Sequence, residues 1–465
     1  MPPAPASTSG DCHPDTGRNG RRAVWITLAI TVLVASGIYS LKAAEERSAI
    51  IRWLHQVEEL QEGVNIWDRY MFPNPPIFPL TLYPLTSMPP VVASMVWYYV
   101  KVGLTALSVV FCFRMARDSD DVRPVPAWAQ FLVMLLSFRP ILSDLHHGNN
   151  NLVILFLIVS SLYAWRKGYD VLAGLALALA ISYKVTPALF VPYFMYKRSW
   201  RTVGSTFLGL GLFLVIVPSL ILGPEFNGQC LHMWWHRMLR PFVMDHEVGD
   251  HEINQSMAGV ISRFFTEQQT GEGRYVPLFA GKNFAALNPD AVVYAIKAMA
   301  LGMVGLLAFL CRTDPKRRDD PRLFGEFSLV VLTMLIVSER SWKHHYVTVL
   351  LPYTYLIFRL WAYPISRRFW NVLGTLIGLS SLLMLSTSSE VGGLFAGGEG
   401  HKLALFYGMF FWSGMALYVG TAIVLRREQG QAPVATPPDP SGMEQGLLRP
   451  HVRELRRRLF RAESR

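Results

Sequence analysis

The fold of this chain is decided by an apolar run that begins at Asn151 and reads NLVILFLIVSSLYAW through Trp165. A helix of roughly 20 apolar residues crosses the hydrocarbon core of a bilayer. Comparable runs recur near 24–41, 91–113, 126–143, 203–222, 291–310, 324–338, 345–361, 370–387 and 404–425, and two shorter passes fit between 169 and 196. The pattern predicts an all-α polytopic membrane protein with about twelve transmembrane helices.

Composition supports this class. Of the 465 residues, 51% are hydrophobic and only 17% are charged, whereas about 25% of a soluble protein is charged. Four cysteines lie far apart, so the sequence predicts neither a disulfide framework nor a thiolate metal site. The net charge of +11 is concentrated in short basic clusters beside the apolar runs. Such clusters set membrane orientation, and we expect no nucleic-acid partner.

The basic clusters also give the topology. With a cytoplasmic N-terminus, every basic cluster at a helix end falls on the cytoplasmic side, as the positive-inside rule requires. These clusters are Arg21/Arg22, Arg114/Arg117, Arg166/Lys167, Lys197/Arg198, Arg317/Arg318, Arg367/Arg368 and Arg426/Arg427. Losing one span would invert every later loop. The first span is interpreted as an uncleaved anchor, with a cleaved signal peptide as the alternative.

The predicted organisation has three parts. They are a disordered cytoplasmic N-terminus at 1–22, a transmembrane domain at 23–427 with long outer loops at 42–90 and 223–290, and a cytoplasmic tail at 428–465. The outer loops are rich in aromatic residues and proline, so we expect them to pack down on the membrane domain. The basic stretch at 453–461 predicts either an amphipathic helix on anionic lipid or a solvated tail.

Polar residues collect at the outer ends of several spans. They form three groups, namely Asp144, His146, His147, Asn149 and Asn151, then Lys184, and finally Arg340, Lys343, His344 and His345. A charge at the bilayer centre costs about 3 kcal/mol, so such residues usually face a cavity or a partner. The convergence predicts one polar site under the outer loops. Each group has a plainer alternative: interfacial histidines, a lysine that snorkels to the interface, or asparagines that cap the next helix.

Four segments resemble glycosyltransferase family 87, the polyprenol-phosphate-mannose-dependent mannosyltransferases and related arabinofuranosyltransferases of bacterial envelopes. They read GVNIWD at 63–68 with PNPPIFPLTLYPL at 73–85, HGNNNL at 147–152 with YKVTPAL at 183–189, NQS at 254–256, and SWKHHY at 341–346. They are similar to the family's G-Q-x-N-L, K-x-T-P-A-L, N-Q-S and S-W-x-H-H motifs. The resemblance covers about residues 24–361.

The resemblance implies a GT-C fold and an inverting membrane glycosyltransferase. The enzyme would move a hexose, with mannose expected, from a polyprenyl-phosphate sugar to an envelope glycolipid or polysaccharide. The site would face the non-cytoplasmic side of a bacterial inner membrane. No cofactor is expected, and neither metal dependence nor oligomeric state is predicted. A lipid-sugar flippase or secondary transporter is the alternative function, and a scaffold with a decayed site is a third.

The resemblance also implies roles for individual residues. The family's presumed catalytic base is an aspartate after the first span, but that position falls near Ser48 or Ala49, so the candidates here are Glu46, Glu45 and Asp68. Candidates for the donor phosphate are Lys184, His344, His345, Arg340 and Arg52. Candidates for sugar or acceptor contacts are His147, Asn149, Asn151, Asn254, Gln255 and Trp342, with Trp67 and Tyr70 as further stacking platforms.

Overall fold

The computed structural model describes residues 16–117, 125–244, 247, 249, 251–267, 279, 281–362, 366–394 and 398–430. Within these ranges the chain is helical and has no β-strand, which confirms the predicted all-α class. The first helix begins at Thr16, inside the segment predicted to be disordered. The basic stretch at 453–461 lies outside the described residues.

The helices alternate between long apolar elements and short connecting ones. The first ten are α1 (Thr16–Ala44), α2 (Ala49–Gln61), α3 (Ile66–Arg69), α4 (Ile77–Thr86), α5 (Pro90–Ala116), α6 (Ala127–His147), α7 (Asn151–Arg166), α8 (Asp170–Tyr183), α9 (Phe190–Tyr196) and α10 (Trp200–Leu210). The next four are α11 (Val217–Leu222), α12 (Pro224–Trp234), α13 (Arg240–Val243) and α14 (Met257–Phe265). The last seven are α15 (Pro289–Leu310), α16 (Pro321–Val337), α17 (Leu350–Ala362), α18 (Arg367–Leu385), α19 (Ser389–Gly392), α20 (Gly400–Phe406) and α21 (Met409–Gln429). Tighter or wider turns occupy Thr186–Leu189, Gly211–Ile216, Trp235–Leu239 and Lys343–Val349.

Within the described ranges, five helical stretches are long and apolar enough to cross a membrane. They are Pro90–Ala116, Trp200–Leu222, Pro289–Leu310, Arg367–Leu385 and Met409–Gln429. Each coincides within a few residues with an apolar run predicted from the sequence. Ala29–Ala44, Asn151–Arg166 and Asp170–Tyr183 are also apolar but shorter.

Helix α16 forms the centre of the bundle. Nearly every side chain from Leu323 to Ile336 is buried, and the helix packs against α17 and α21. Near its start, Glu326 forms a buried ion pair of 2.7 Å with Lys197. The same carboxylate accepts hydrogen bonds from the Tyr193 hydroxyl and from the Thr313 backbone. These bonds tie α9 and the 311–313 connection to one end of α16.

The segment 42–90 packs down on the helices, as its aromatic content predicts. Trp53 and Phe78 meet edge to face at 5.1 Å, and Trp67 and Phe72 are buried beside them. The Asn74 amide donates to the Tyr183 carbonyl at 2.6 Å. This segment therefore contacts the end of α8, next to Lys184.

A glycine closes the turn between α6 and α7. Gly148 ends α6 with φ of +73°, a left-handed conformation that favours glycine. A Cβ atom here would lie 2.4 Å from the Ser48 Oγ and 2.8 Å from the Tyr39 hydroxyl. The absence of a side chain allows the connection between α1 and α2 to lie directly against the end of α6.

Candidate functional site

A small cavity with polar and apolar side chains in its wall lies between the C-terminal ends of α8 and α16 and the N-terminal end of α7. Its empty space, counted together with the open solvent at its mouth, is about 300 Å³. Its lining comprises Asn151, Ile154, Lys184, Thr186, Met334, Leu335, Ser341, His345, Val347 and Thr348. Three of the segments picked out in the sequence thus meet around one space, and none of these lining residues carries a carboxylate.

A chain of hydrogen bonds links Lys184 to a buried ion pair. The Lys184 ammonium donates to Asn151 Oδ1 at 3.0 Å, and the Asn151 amide donates to Asp144 Oδ2 at 3.0 Å. The other Asp144 oxygen lies 3.2 Å from the Lys101 ammonium, and both charged side chains are completely buried. The network fixes the position of Asn151. Asn151 in turn accepts the only described hydrogen bond of the Lys184 ammonium.

Asp144 is not free to take a proton from a substrate. Its carboxylate accepts bonds from Lys101, from the Asn151 side chain and from the Asn151 backbone. A buried charge is stable only when it is paired and hydrogen-bonded in this way. Asn150, at the N-cap of α7, makes no capping bond with its side chain. Asn151 therefore has a role other than capping a helix, because its side chain connects the Asp144–Lys101 ion pair to the cavity.

The segment that follows α16 brings an imidazole to the cavity wall. His345 Nδ1 accepts the Trp342 backbone N–H at 3.1 Å. Neutral His345 therefore carries its proton on Nε2. The Trp342 ring stacks on His345 with centroids 6.0 Å apart, and the indole is 37% exposed. Trp342 thus presents an accessible aromatic face beside the site.

His147 and His344 form a second pair of rings next to His345. The His147 and His344 centroids lie 5.8 Å apart, and those of His344 and His345 lie 4.9 Å apart. His147 Nδ1 donates to the Ser143 carbonyl at 2.7 Å, so its Nε2 carries a lone pair. Burial, together with the charge of Lys343, lowers the pKa of His147 to about 4. The ring is therefore neutral at pH 7.

The side chains of Asn254 and Gln255 are fully used by the backbone. Asn254 donates to the Glu339 carbonyl at 2.8 Å and accepts from the Ser341 N–H at 3.0 Å. Gln255 donates to the Leu405 carbonyl at 2.7 Å. The remaining amide groups also bond to the backbone. This geometry holds the 339–341 segment in place, and the predicted sugar contacts of the two residues stay a prediction.

The predicted base candidates lie outside the cavity lining. Glu45 and Glu46 are exposed in the turn after α1, where Glu45 pairs with Arg47 at 2.9 Å. Glu46 has φ of +56°, which is uncommon for a residue with a side chain. Asp68 is exposed at the end of α3, and its carbonyl accepts a bond from Arg237.

Other predicted contact residues are distributed around the site. Arg340 is half-buried directly before the SWKHHY segment, whereas Arg52 is exposed on α2. Asn149 is half-buried in the turn between α6 and α7. Trp67 is completely buried, with its indole N–H bonded to the Asn74 carbonyl, so its ring cannot stack on a sugar.

Sequence reasoning missed Lys101 and gave Asp144 no role. A signal was present, because Lys101 stands in the middle of the apolar run at 91–113. An ionisable residue at that depth implies a partner in the protein interior. Across the described residues, no group of three histidine, cysteine or acidic side chains is arranged to hold a metal ion.

The chain is similar to known mannosyltransferases. The model of glycosyltransferase family 87 matches residues 72–338. A Mycobacterium tuberculosis protein named polyprenol-phosphate-mannose-dependent alpha-(1-2)-phosphatidylinositol mannoside mannosyltransferase is 24% identical over 368 residues, which cover 72% of this chain and 77% of that protein.

Two Mycolicibacterium smegmatis proteins are also similar. One, a pentamannoside mannosyltransferase of the same donor dependence, is 25% identical and covers 59% of this chain and 58% of its own length. The other has the same name as the M. tuberculosis protein, is 25% identical and covers 60% of each chain. The match thus spans less than two thirds of either M. smegmatis protein. Since the family model matches more than half of its residues, the chain belongs to glycosyltransferase family 87.

Proposed function

We propose that this protein is a multi-pass membrane mannosyltransferase that transfers mannose from a polyprenyl-phosphate donor to a lipid-anchored glycolipid. The observation that carries the proposal is that Lys184 and His345 line one cavity, with Lys184 hydrogen-bonded to Asn151. A cation and an imidazole beside one space suit a departing phosphate. Family membership favours this chemistry over a flippase without glycosyl transfer.

The membrane arrangement follows from charge. We propose a GT-C-like bundle of about twelve spans with the Lys184 cavity on the non-cytoplasmic side. Supporting this, the basic residues Lys197 and Arg318 lie towards the start of α16, whereas the cavity lies towards its end. A polyprenyl chain can then remain in the bilayer while its phosphate reaches Lys184.

The proposed reaction is a single displacement with inversion. The acceptor hydroxyl attacks the anomeric carbon, the bond from that carbon to the phosphate oxygen breaks, and the lipid phosphate leaves as an anion. Lys184 and the Nε2–H of His345 stabilise the charge on this leaving group. A phosphate needs no general acid because it is already a stable anion. The scheme assigns no step to a metal or cofactor.

The hydroxyl proton goes to a carboxylate, and we propose Glu46 as this base. Asp144 is saturated by its partners, and Asp68 lies on α3. Glu46 stands two residues before Ser48, which abuts Gly148 at the end of α6, next to His147. Its left-handed backbone is a strained conformation of the kind that persists at functional sites. Glu45 is less suitable because it is bonded to Arg47.

The acceptor is proposed to be a phosphatidylinositol mannoside, the acceptor in the names of the mycobacterial relatives. Trp342 offers its exposed face for stacking on the acceptor or donor sugar. We propose that Asn254 and Gln255 act indirectly, by holding the backbone that carries Trp342 and His345. His147 and Asn149 flank Gly148, which abuts Ser48 in the turn after Glu46, and we propose that they contact sugar hydroxyls.

The test is a transfer assay with purified protein in detergent. The protein is incubated with radiolabelled polyprenyl-phosphate mannose and phosphatidylinositol mannoside, and the labelled lipid is identified by chromatography and mass spectrometry. Wild-type protein should yield one additional mannose. Glu46→Gln should lower kcat by about a hundred-fold or more, as expected for loss of a general base, whereas Glu45→Gln should retain most activity. Full activity in a variant that carries both Glu45→Gln and Glu46→Gln would show that neither glutamate is the base. Absence of any labelled product from wild-type protein would refute the function.

A further inference from the structure

Lys343 is a lysine whose ammonium has no partner. It stands between Trp342 and His344, directly after the element that closes the cavity, and its side chain is half-buried. Among the described residues, no group accepts a hydrogen bond from its ammonium, and no carboxylate pairs with it. It does not line the Lys184 cavity either. A lysine in this setting loses hydration without an internal partner to replace it.

The charged groups that act on Lys343 are positive. Burial is the main cause that lowers the pKa of Lys343, and the charges of Arg139 and Lys42 lower it further. Arg139 lies two helical turns before His146 on the same face of α6. Lys42 reaches the end of the same helix, where its ammonium donates to the His146 carbonyl at 2.8 Å. The His147 and His344 rings lie 5.8 Å apart, so the segment that carries Lys343 also meets this end of α6.

The acids near this cluster are already engaged or peripheral. Glu45 pairs with Arg47 and not with Lys42. Glu390 influences Arg139 from an exposed position in α19, and the Arg139 guanidinium donates to the Thr387 carbonyl. Within the described part of the chain no carboxylate pairs with Lys343, and like charges in a low-dielectric setting repel one another. A bound anion removes this repulsion.

We propose that Lys343, with Lys42 and Arg139, binds the phosphodiester of the acceptor lipid. This inference rests on the proposed function, which already assigns the donor phosphate to Lys184. Transfer between two lipids brings two phosphates to the same interface, and they need separate cations. Lys343 lies outside the lining of the Lys184 cavity, so a phosphate held by Lys343 is separate from the proposed donor site.

The experiment compares two acceptors that differ in charge. One is phosphatidylinositol mannoside, and the other is a mannosyl diacylglycerol with the same acyl chains and no phosphate. Lys343→Met should raise the KM for the anionic acceptor about ten-fold or more, as expected for a lost charge-assisted contact, with kcat and the KM for the neutral acceptor unchanged. Lys343→Arg should retain the preference. Lys402→Met is the matched control, because the Lys402 ammonium is paired with Glu399 at 2.6 Å.

The pH dependence gives a second readout. Burial and the neighbouring cations lower the pKa of Lys343 to about 8. The ammonium is charged at pH 7 and loses its proton as the pH rises through 8, so the KM for the anionic acceptor should rise between pH 7 and pH 9. His146, His147 and His344 also face Lys343, but their pKa values are lowered and they stay neutral over this range. Lys343→Arg should remove the pH dependence.

Several results would overturn the inference. Equal losses on both acceptors would mean a structural role, and a raised KM for the donor would mean that Lys343 contacts the donor phosphate. Unchanged selectivity would exclude an anion site. If Lys343→Met does not fold, Arg139→Gln must show the same loss of selectivity. Direct binding of both acceptors, measured by native mass spectrometry, separates this inference from the function: wild-type protein without transferase activity must still prefer the anionic lipid.

Discussion

Two lysines at opposite ends of the bundle face contrasting surroundings. Lys197 is buried and satisfied, because Glu326 pairs with it at 2.7 Å and the carbonyls of Cys311 and Thr313 accept its other bonds. Lys184 has one described contact, the neutral amide of Asn151. The first lysine has all the partners that an ammonium can use. The second retains donors for a ligand.

The difference separates structural charge from functional charge. A buried ion pair that is complete in the folded chain resists separation, and removing one partner is costly. An ammonium that a single amide holds in place gains its main partner only when a substrate arrives. Lys101 belongs to the first kind, since Asp144 neutralises it. Lys184 fits the second kind, and the proposed role of Lys343 likewise requires that a substrate supply its partner.

The largest expected effect follows from removing Lys184. Lys184→Met should lower kcat by about a hundred-fold to a thousand-fold, the range for loss of a charge-stabilising donor. The melting temperature should not fall, because no carboxylate is left unpaired. The comparison requires transfer assays and thermal unfolding on the same detergent-solubilised preparation. If the melting temperature falls strongly while each folded molecule keeps its activity, Lys184 is a structural charge like Lys197.

Removing Lys197 should have the opposite signature. Lys197→Met leaves Glu326 buried without its cation, and such a change destabilises a protein by about 3–5 kcal/mol. The readout is a lower melting temperature and a lower yield of monodisperse protein, with kcat per folded molecule near that of wild type. Adding Glu326→Gln should restore part of the stability. An unchanged melting temperature in the single variant would show that the ion pair contributes little.

A smaller effect is expected at Asn151. Asn151→Ala removes the bridge between Asp144 and Lys184, and loss of a hydrogen bond to a charged group should lower kcat by about ten-fold. The loss of kcat should be smaller than in Lys184→Met, because the ammonium is still present. Asn371→Ala, an exposed asparagine in α18, is the control. Equal activity of Asn151→Ala and wild type would mean that Lys184 is positioned by its backbone alone.

The sequence predicted the helical class and the approach of three distant segments. Apolar runs and basic clusters sufficed for this, because hydrophobic length and the positive-inside rule act on each span separately. The predicted convergence agrees with the structure at Asn151, Lys184 and His345, which line one cavity. The catalytic roles of these residues remain predictions that the assays above address.

The sequence alone could not predict which side chains of different helices pair with each other. Lys101 and Asp144 lie 43 residues apart, and their contact depends on how α5 and α6 are rotated against one another. The same holds for Asn254, whose amide is used by the backbone at 339–341. A motif in the sequence identifies an asparagine that can bind a sugar. Which groups its amide bonds to in the folded chain depends on packing.

The bare backbone at Gly148 has one more consequence. Ser48, Tyr39 and the Ile50 amide all lie where a Cβ atom on Gly148 would stand. The turn after α6 and the turn that carries Glu46 are therefore in direct contact. Asn151, three residues further on, belongs to the first of these turns. The proposed base Glu46 and the asparagine that holds Lys184 therefore lie on two turns that are packed directly against each other.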